Sequence, residues 1–297
     1  MRITQKIIFD DFMRDINKNR SQMAGIQSDL SSGKRVRIPS QDPISFQRSR
    51  ILEENIRKQE QYQKNISSGL RQGRLAQEAL DEAIDNLIEI KRILTHGATD
   101  TSRETVRESM AQEIAGIRDT MVMTLNSSYG DRYLFGGTNS SVEPMVFDET
   151  APGGVAGNSN ATAPRVQAGD QMFVDISVTG AELRETGAGD MFAVIGDIEQ
   201  ALLDNDRETL NLLLGDITEV IDHTSILASR LGNNINRLEF MNEQYESTNI
   251  VLKSNVSELT DTDFAKAFSD MQRTQIAFES AMAVHTQMIH NTLLDYL

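Results

Sequence analysis

Apolar residues in the second half of the chain recur with a fixed period. Alternate steps of three and four from Leu210 meet Leu213, Ile217, Val220, Thr224, Leu227, Leu231, Asn234, Leu238, Met241, Tyr245, Thr248, Leu252, Asn255 and Leu259, and eleven of these fifteen positions are apolar. Such an unbroken heptad specifies a coiled-coil seam on one helix. From Asp206 to Leu259 that helix would run about 80 Å at 1.5 Å per residue, which points to a rod rather than a compact domain. A second stripe, Gly73, Ala76, Leu80, Ala83, Leu87, Ile90 and Leu94, contains small residues that permit close helix approach. Val106, Met110, Ile114, Ile117, Met121 and Leu125 make a third. The turn formers of "THGATDTS" (95–102) separate these two stripes, so they read as an antiparallel hairpin. A shorter helix is predicted over Met191–Leu203, with Asp190 as its N-cap.

The chain ends carry the same rhythm in registers of their own. Phe9, Phe12, Ile16, Asn19, Met23, Ile26 and Leu30 form one stripe, and Phe264, Phe268, Met271, Gln275, Phe278, Met282, His285, Ile289, Thr292 and Tyr296 form another. "SSGKRVRIPSQDP" (31–43) and "TDTD" (260–263) break the helical pattern between these arms and the rest. Arms with apolar seams that an isolated subunit cannot fully bury are expected to fold against partners. The expected assembly residues are Phe9, Phe12, Ile16, Met23, Phe264, Phe268, Met271, Phe278 and Met282.

Between the helical halves the pattern changes. Residues 131–190 gather much of the chain's Gly and three of its five Pro. Met172, Val174, Ile176 and Val178 alternate with Phe173, Asp175 and Ser177 and predict a strand. "PMVFD" (144–148) and "APRVQ" (163–167) are weaker strands, and "APGGVAGNSNATAP" (151–164) reads as a mobile loop. At the entrance stands "DRYLFGGTNS" (131–140). The third helix is expected to end near Ser128, with Gly130 in the left-handed position after it. Tyr133, Leu134 and Phe135 would then pack on the helical stem while Gly136 and Gly137 turn the chain into the insertion.

The fold expected is mainly α: an elongated antiparallel coiled-coil rod built from both chain halves, with a small β-rich insertion and terminal helical arms. The divisions are 1–42 with 260–297 for the arms, 43–137 with 188–259 for the rod, and 138–187 for the insertion. A low aromatic content of 5% and no Trp fit aliphatic helix seams better than one large core.

Charge and chemistry narrow the function. A net charge of −15 argues against nucleic acid as the partner. Residues 1–40 are net +4 and residues 258–297 net −4, so the two ends are complementary and are expected to pair with each other or with neighbouring copies. No apolar run approaches membrane-spanning length, and "MRITQKIIFDDFMRD" carries charges throughout, which predicts no cleavable signal peptide. With no Cys, disulfides, thiolate metal sites and Cys nucleophiles are excluded. The four His residues offer no i, i+4 pair for a helical zinc site, and no HExxH occurs. "SGKR" lacks the first Gly and the final Ser/Thr of a phosphate loop. "DTDFAK" (261–266) lacks the third acidic position and the Gly of a calcium loop. "PGGVAG" neither follows a convincing strand nor opens a helix, so it makes a poor dinucleotide loop. No catalytic constellation, metal site or cofactor site is expected, so the chain reads as no enzyme.

"LSSGKRVRIPSQDPISF" (30–46) resembles the N-terminal segment of the bacterial flagellin superfamily. "SRLGNNINRLE" (229–239) and "SELTDTDFAKAFSDM" (257–271) are similar to its C-terminal segments. "YGDRYLFGGT" (129–138) resembles the branch at the hook–filament junction. "RIPSQDP" and the ending "LLDYL" depart from the usual flagellin versions. The resemblance implies terminal helices that form an inner tube, an α-helical rod outside it, and a variable β domain facing solvent. It implies an extracellular place on the flagellum, reached unfolded through the flagellar export channel. The implied partners are copies of the chain in a ring, the first hook-associated protein on the hook side, flagellin on the filament side, and an export chaperone at the C-terminal helix. Two other readings stand beside it: a small flagellin that builds the filament itself, and a cytoplasmic coiled-coil scaffold. The scaffold leaves the β insertion and the oppositely charged ends unexplained.

Overall fold

The computed structural model describes residues 2–99 and 104–294. In chain order these form α1 (Arg2–Ser32), α2 (Pro43–Gly97), α3 (Glu104–Leu125), β1 (Ser128–Tyr129), β2 (Arg132–Tyr133), β3 (Met145–Phe147), a 3-10 turn (Pro152–Gly154) and β4 (Val155–Gly157). There follow β5 (Arg165–Gly169), β6 (Met172–Asp175), α4 (Gly180–Arg184), β7 (Glu185–Thr186), β8 (Gly189–Asp190), α5 (Met191–Leu203), α6 (Arg207–Thr260) and α7 (Phe264–Leu294). Helix accounts for 73% of the described residues. Packing divides the chain into two compact units, residues 1–57 with 248–297 and residues 58–247, and α2 and α6 contribute to both.

In the unit of residues 58–247 the predicted stripes become its core. Gly73, Ala76, Leu80, Ala83, Leu87, Ile90 and Leu94 on α2 are all buried. Met110, Ile114, Met121 and Leu125 of α3 join them, while Val106 stays exposed near the helix start. α2 and α3 run antiparallel: Arg107 donates to the Gly97 carbonyl at 3.0 Å near the tip, and Arg71 to the Tyr129 hydroxyl at 3.2 Å at the other end. α5 starts where the sequence places it, and the Asp190 carboxylate accepts from the Phe192 and Ala193 amides at 2.9 and 3.3 Å. That satisfies two of the amides left free at a helix start. Asp206 caps α6 in the same way, through the Glu208 and Thr209 amides.

The α6 seam holds its heptad from Leu210 through Leu231, after which Ile235 is buried beside a half-buried Asn234 and, past Leu238, the register departs. Beyond Tyr245 the buried residues are Asn249, Val256 and Thr260, each one position later than the predicted Thr248, Asn255 and Leu259. A straight helix of 3.6 residues per turn slips about 20° per heptad against a strict seven-residue repeat. Five heptads from Leu210 to Tyr245 therefore accumulate about 100°, one residue's worth, and the expectation of an unslipping seam is corrected.

The β part consists of four separate antiparallel pairs among the described residues: β1–β2, β3–β4, β5–β6 and β7–β8. β5 and β6 pair Arg165 with Asp175 and Gln167 with Phe173, with an irregularity between Gln167 and Gly169. Val174 and Ile176 face inward as their alternation predicts, in a cluster with Ile66, Ala168 and Leu238. The Tyr245 hydroxyl holds this hairpin by donating to the Ala168 carbonyl at 2.8 Å.

Two expectations are corrected here. α3 ends at Leu125, and Gly130 is not its terminal glycine. It is the first central residue of the two-residue β1–β2 turn, at φ +63°, while Asp131 keeps a negative φ. That is the signature of a type II′ hairpin turn, which needs Gly at that position. Second, residues 151–164 are not one loop. The 3-10 turn and β4 lie within them, and Val155 is fully buried. Gly153, at φ +65°, sits so close to α5 that a Cβ there would overlap the Phe192 carbonyl. Backbone against backbone is a contact that no side-chain pattern advertises.

Candidate assembly surface

α1 and α7 lie antiparallel within the unit of residues 1–57 and 248–297. The Phe12 and His285 rings are 3.9 Å apart, Phe9 approaches His285 edge-on at 5.8 Å, and the Arg20 guanidinium lies 5.9 Å from the Phe278 ring. At the other end Lys34 Nζ is 3.4 Å from Asp261. This pairing realises part of the charge complementarity of the two chain ends.

A clasp joins the breaks that follow α1 and α6. Gly33, at φ +69°, ends α1 in the left-handed conformation that glycine adopts without strain. The Arg35 and Val36 amides both donate to the Thr260 carbonyl, at 2.8 and 3.2 Å, and the Thr262 amide donates to the Gly33 carbonyl at 2.9 Å. The Arg35 guanidinium donates to the Leu259 carbonyl at 3.1 Å. Hydroxyls of Ser257 and Thr260 and the Lys34 ammonium hold the Asp261 carboxyl below the usual carboxylate range. Asp42 is likewise held down, first by the Ser45 amide, as it caps α2 beneath Pro43. Val36, Ile56, Val256 and Thr260 are buried in this unit.

The structure sorts the nine expected assembly residues into two sets. Ile16 is buried, and Phe12, Met23, Met271 and Phe278 are half-buried along the α1–α7 seam. The seam on α7 is completed by Ala267, Thr274, Ala281 and His285, all half-buried. Sequence reasoning followed the large residues and missed this row of small ones, although Ala267, Thr274 and Ala281 recur every seven positions. The other four expected residues are exposed, Phe9 51%, Phe264 58%, Phe268 55% and Met282 46%, although the Phe9 ring still meets His285 at the edge of the seam.

These four, with Met13, are not scattered. At about 100° per residue, Phe9 and Met13 lie roughly 60–100° round α1 from its seam, and Phe264, Phe268 and Met282 lie roughly 60–100° round α7 from its own. Because the helices are antiparallel, equal rotations in the sense of the chain bring both sets to one side of the pair. One side of the two-helix ribbon thus gathers five exposed apolar side chains, while Ile7, Ile276 and Val284, also exposed, lie on its other sides. Exposed aromatic and thioether side chains gathered in this way are uncommon on the surface of a monomer.

The junction motif lies in the other unit. Leu134, Phe135, Gly136 and Gly137 are buried and Tyr133 is half-buried. The Leu134 amide donates to the Ser127 carbonyl at 2.9 Å, and its carbonyl accepts from the Ser177 hydroxyl at 2.7 Å. The Phe135 carbonyl accepts from the amide of Gly180, the first residue of α4 within its Thr179–Glu182 capping box, at 2.8 Å. The motif thus ties the end of α3 to the end of the β5–β6 hairpin, with the Phe135 ring fully buried in the main core.

A cleft of about 560 Å³ beside α2 is lined by Glu60, Gln63, Lys64, Ser67, Arg71 and Asn242. Another, of about 480 Å³, is lined by Asp11, Phe12, Asp15, Ser280, Ala281, Val284 and His285. Among the described residues no three His, Asp or Glu side chains group to hold a metal ion, and no helix is long and apolar enough to cross a membrane.

The profile of the bacterial flagellin N-terminal helical region matches residues 3–140, and that of the bacterial flagellin C-terminal helical region matches residues 214–297. The chain is 22% identical to the flagellar hook-associated protein 3 of Salmonella typhimurium over 311 aligned positions, covering 97% of both chains. It has the same identity and coverage with the Escherichia coli protein of that name. Its fold is similar to that of a flagellar hook-associated protein from Vibrio parahaemolyticus, with a TM-score of 0.67 at 18% identity, covering 74% of this chain and all of the other. A similar likeness, TM-score 0.63 at 13% identity over 72% of this chain and all of the other, holds for the flagellar junction protein FlgL from Legionella pneumophila.

Proposed function

The chain belongs to the bacterial flagellin superfamily, and from that membership we propose that it is a structural junction protein of the bacterial flagellum, joining the hook-side adaptor to the flagellin filament. The full-length likeness to two proteins named hook-associated protein 3 supports the junction over the filament. The observation that carries the mechanism is the exposed apolar face that Phe9, Met13, Phe264, Phe268 and Met282 make on the α1–α7 pair. Copies of the chain cover this face in one another as they close a ring. The first hook-associated protein contacts the ring from the hook side and flagellin from the filament side. The arms, residues 1–42 and 260–297, are the partner-dependent part, residues 43–137 with 188–259 the rod, and 138–187 the insertion. The chain leaves the cell unfolded through the flagellar export channel, escorted by a chaperone at its C-terminal helix.

The reading is tested by the double change Phe264→Ala and Phe268→Ala in the full chain. Both rings are more than half exposed, so the melting of the purified protein should stay within the small range of surface substitutions, under ~0.5 kcal/mol. Cells carrying the variant should fail to join filament to hook and should shed unpolymerised flagellin into the medium. Normal filaments on such cells would remove this face from the assembly.

A further inference from the structure

Thirteen Met and no Cys leave thioethers as the chain's sulfur chemistry. Met121, Met145 and Met191 are sealed in the core, whereas Met13 and Met282 are 41% and 46% exposed. These two belong to the apolar face of the α1–α7 pair. The contacts of Phe12 with His285 and of Arg20 with Phe278 set them at nearly the same level, one on each helix. Phe9 stands on the same face, within two turns of Met13 along α1. Two solvent-accessible thioethers therefore sit side by side on the surface that the proposed assembly covers.

We propose that Met13 and Met282 form a paired oxidation site that blocks assembly when both are converted to sulfoxide. The inference rests on the assembly reading of this face. The reagent is a peroxide: a sulfur lone pair attacks one peroxide oxygen, the O–O bond breaks, the thioether is oxidised to sulfoxide and the peroxide is reduced to water. The product replaces an apolar, flexible side chain with a polar one carrying a strong acceptor. Phe9 and Ile16 lie one turn from Met13 and Phe278 one turn from Met282, beside the polar Asp10, Asn17, Glu279 and Thr286. Covering the face takes the sulfoxide oxygens out of water, which is unfavourable unless each gains a donor. Before assembly the thioethers are open to solvent, and after it they are shielded, so the block acts on unassembled subunits. Methionine sulfoxide reductases reverse it.

The experiment treats the purified full-length protein with hydrogen peroxide and follows two readouts. Peptide mass mapping should show a gain of one oxygen at Met13, Met282 and the exposed Met123 well before Met121, Met145 and Met191. Addition of the treated protein to isolated hooks should then fall roughly tenfold or more, and reductase treatment should restore it. The Met13→Leu, Met282→Leu double variant keeps apolar volume and carries no thioether there, so whatever its starting rate of addition, peroxide should not lower it. Met123→Leu should lose assembly on oxidation as the unsubstituted chain does. The inference is overturned if Met13 and Met282 oxidise no faster than the core methionines. Undiminished addition of doubly oxidised protein, or loss of addition in the Leu double variant after peroxide, overturns it too. The assembly reading fails separately, if unoxidised Phe264→Ala, Phe268→Ala protein adds to hooks at the normal rate.

Discussion

Phe135 and Phe268 are the same residue type with opposite assignments. Phe135 is fully buried where α3, the β5–β6 hairpin and α4 meet, and Phe268 is more than half exposed. Phe135→Ala should therefore destabilise the monomer by about 3–5 kcal/mol, read from its melting, because a cavity opens among neighbours that already pack. The exposed pair should leave that melting unmoved and act on assembly alone, so a Phe268→Ala monomer that melted as poorly as Phe135→Ala would reverse the assignment. The clasp residues make a pH prediction. Asp261 and Asp42 have folded values below their ordinary one. What they contribute is present above the unfolded value, near 4, and is lost as pH falls through the depressed folded value. Exchange of the Arg35, Val36 and Thr262 amides, corrected for intrinsic rate, should be flat between pH 8 and 5 and rise below about pH 4. A rise between 8 and 5 would contradict the clasp. Asp261 is exposed and Asp42 half-buried, and both act within the clasp, so the effect belongs to the clasp and not to global unfolding.

Helices are where the sequence was most legible and also where it misled. The α5 bounds and cap, the start and end of α6 and the break before α7 could all be read because cap residues and apolar periods agreed. Asp206→Ala should remove its two amide bonds and fray the first turn of α6, seen as faster exchange at Glu208 and Thr209. Unchanged exchange there would mean that packing alone holds that turn. The α6 seam beyond Tyr245 was displaced by one residue because a heptad count ignores the slip between 3.5 and 3.6 residues per turn. The α7 seam was misaligned because large side chains were followed, while the helix packs through Ala267, Thr274 and Ala281. Phe264, Phe268 and Met282 were legible as an apolar stripe but not as an outward face, since direction depends on where the partner helix lies. Residues 151–164 were illegible for another reason. β4 is paired through its backbone, and Gly153 serves a close approach to Phe192 that leaves no periodic trace.

At the scale of the whole molecule the charge is divided unequally. Residues 58–247 carry 15 Lys/Arg against 31 Asp/Glu, a net of −16, while residues 1–57 with 248–297 carry 14 against 13, a net of +1. The arms that meet in the proposed assembly are nearly neutral, whereas each added copy brings another strongly acidic body. Like charges repel over a Debye length of about 30 Å at 0.01 M salt but only about 8 Å at 0.15 M. Addition of the purified protein to hooks should accordingly be slower and less complete at ~0.01 M salt than at ~0.15 M; salt independence would indicate that the acidic bodies stay far apart in the assembly. The central claim is a place in the flagellum, and the direct measurement is the position of the labelled chain on intact flagella. An antibody or gold tag on the exposed part of the β insertion should mark one narrow band where hook meets filament, with the chain a trace component of the isolated structure. Label distributed along the filament, with the chain forming most of its mass, would make it a filament subunit and contradict the account, as would label confined to the cell interior.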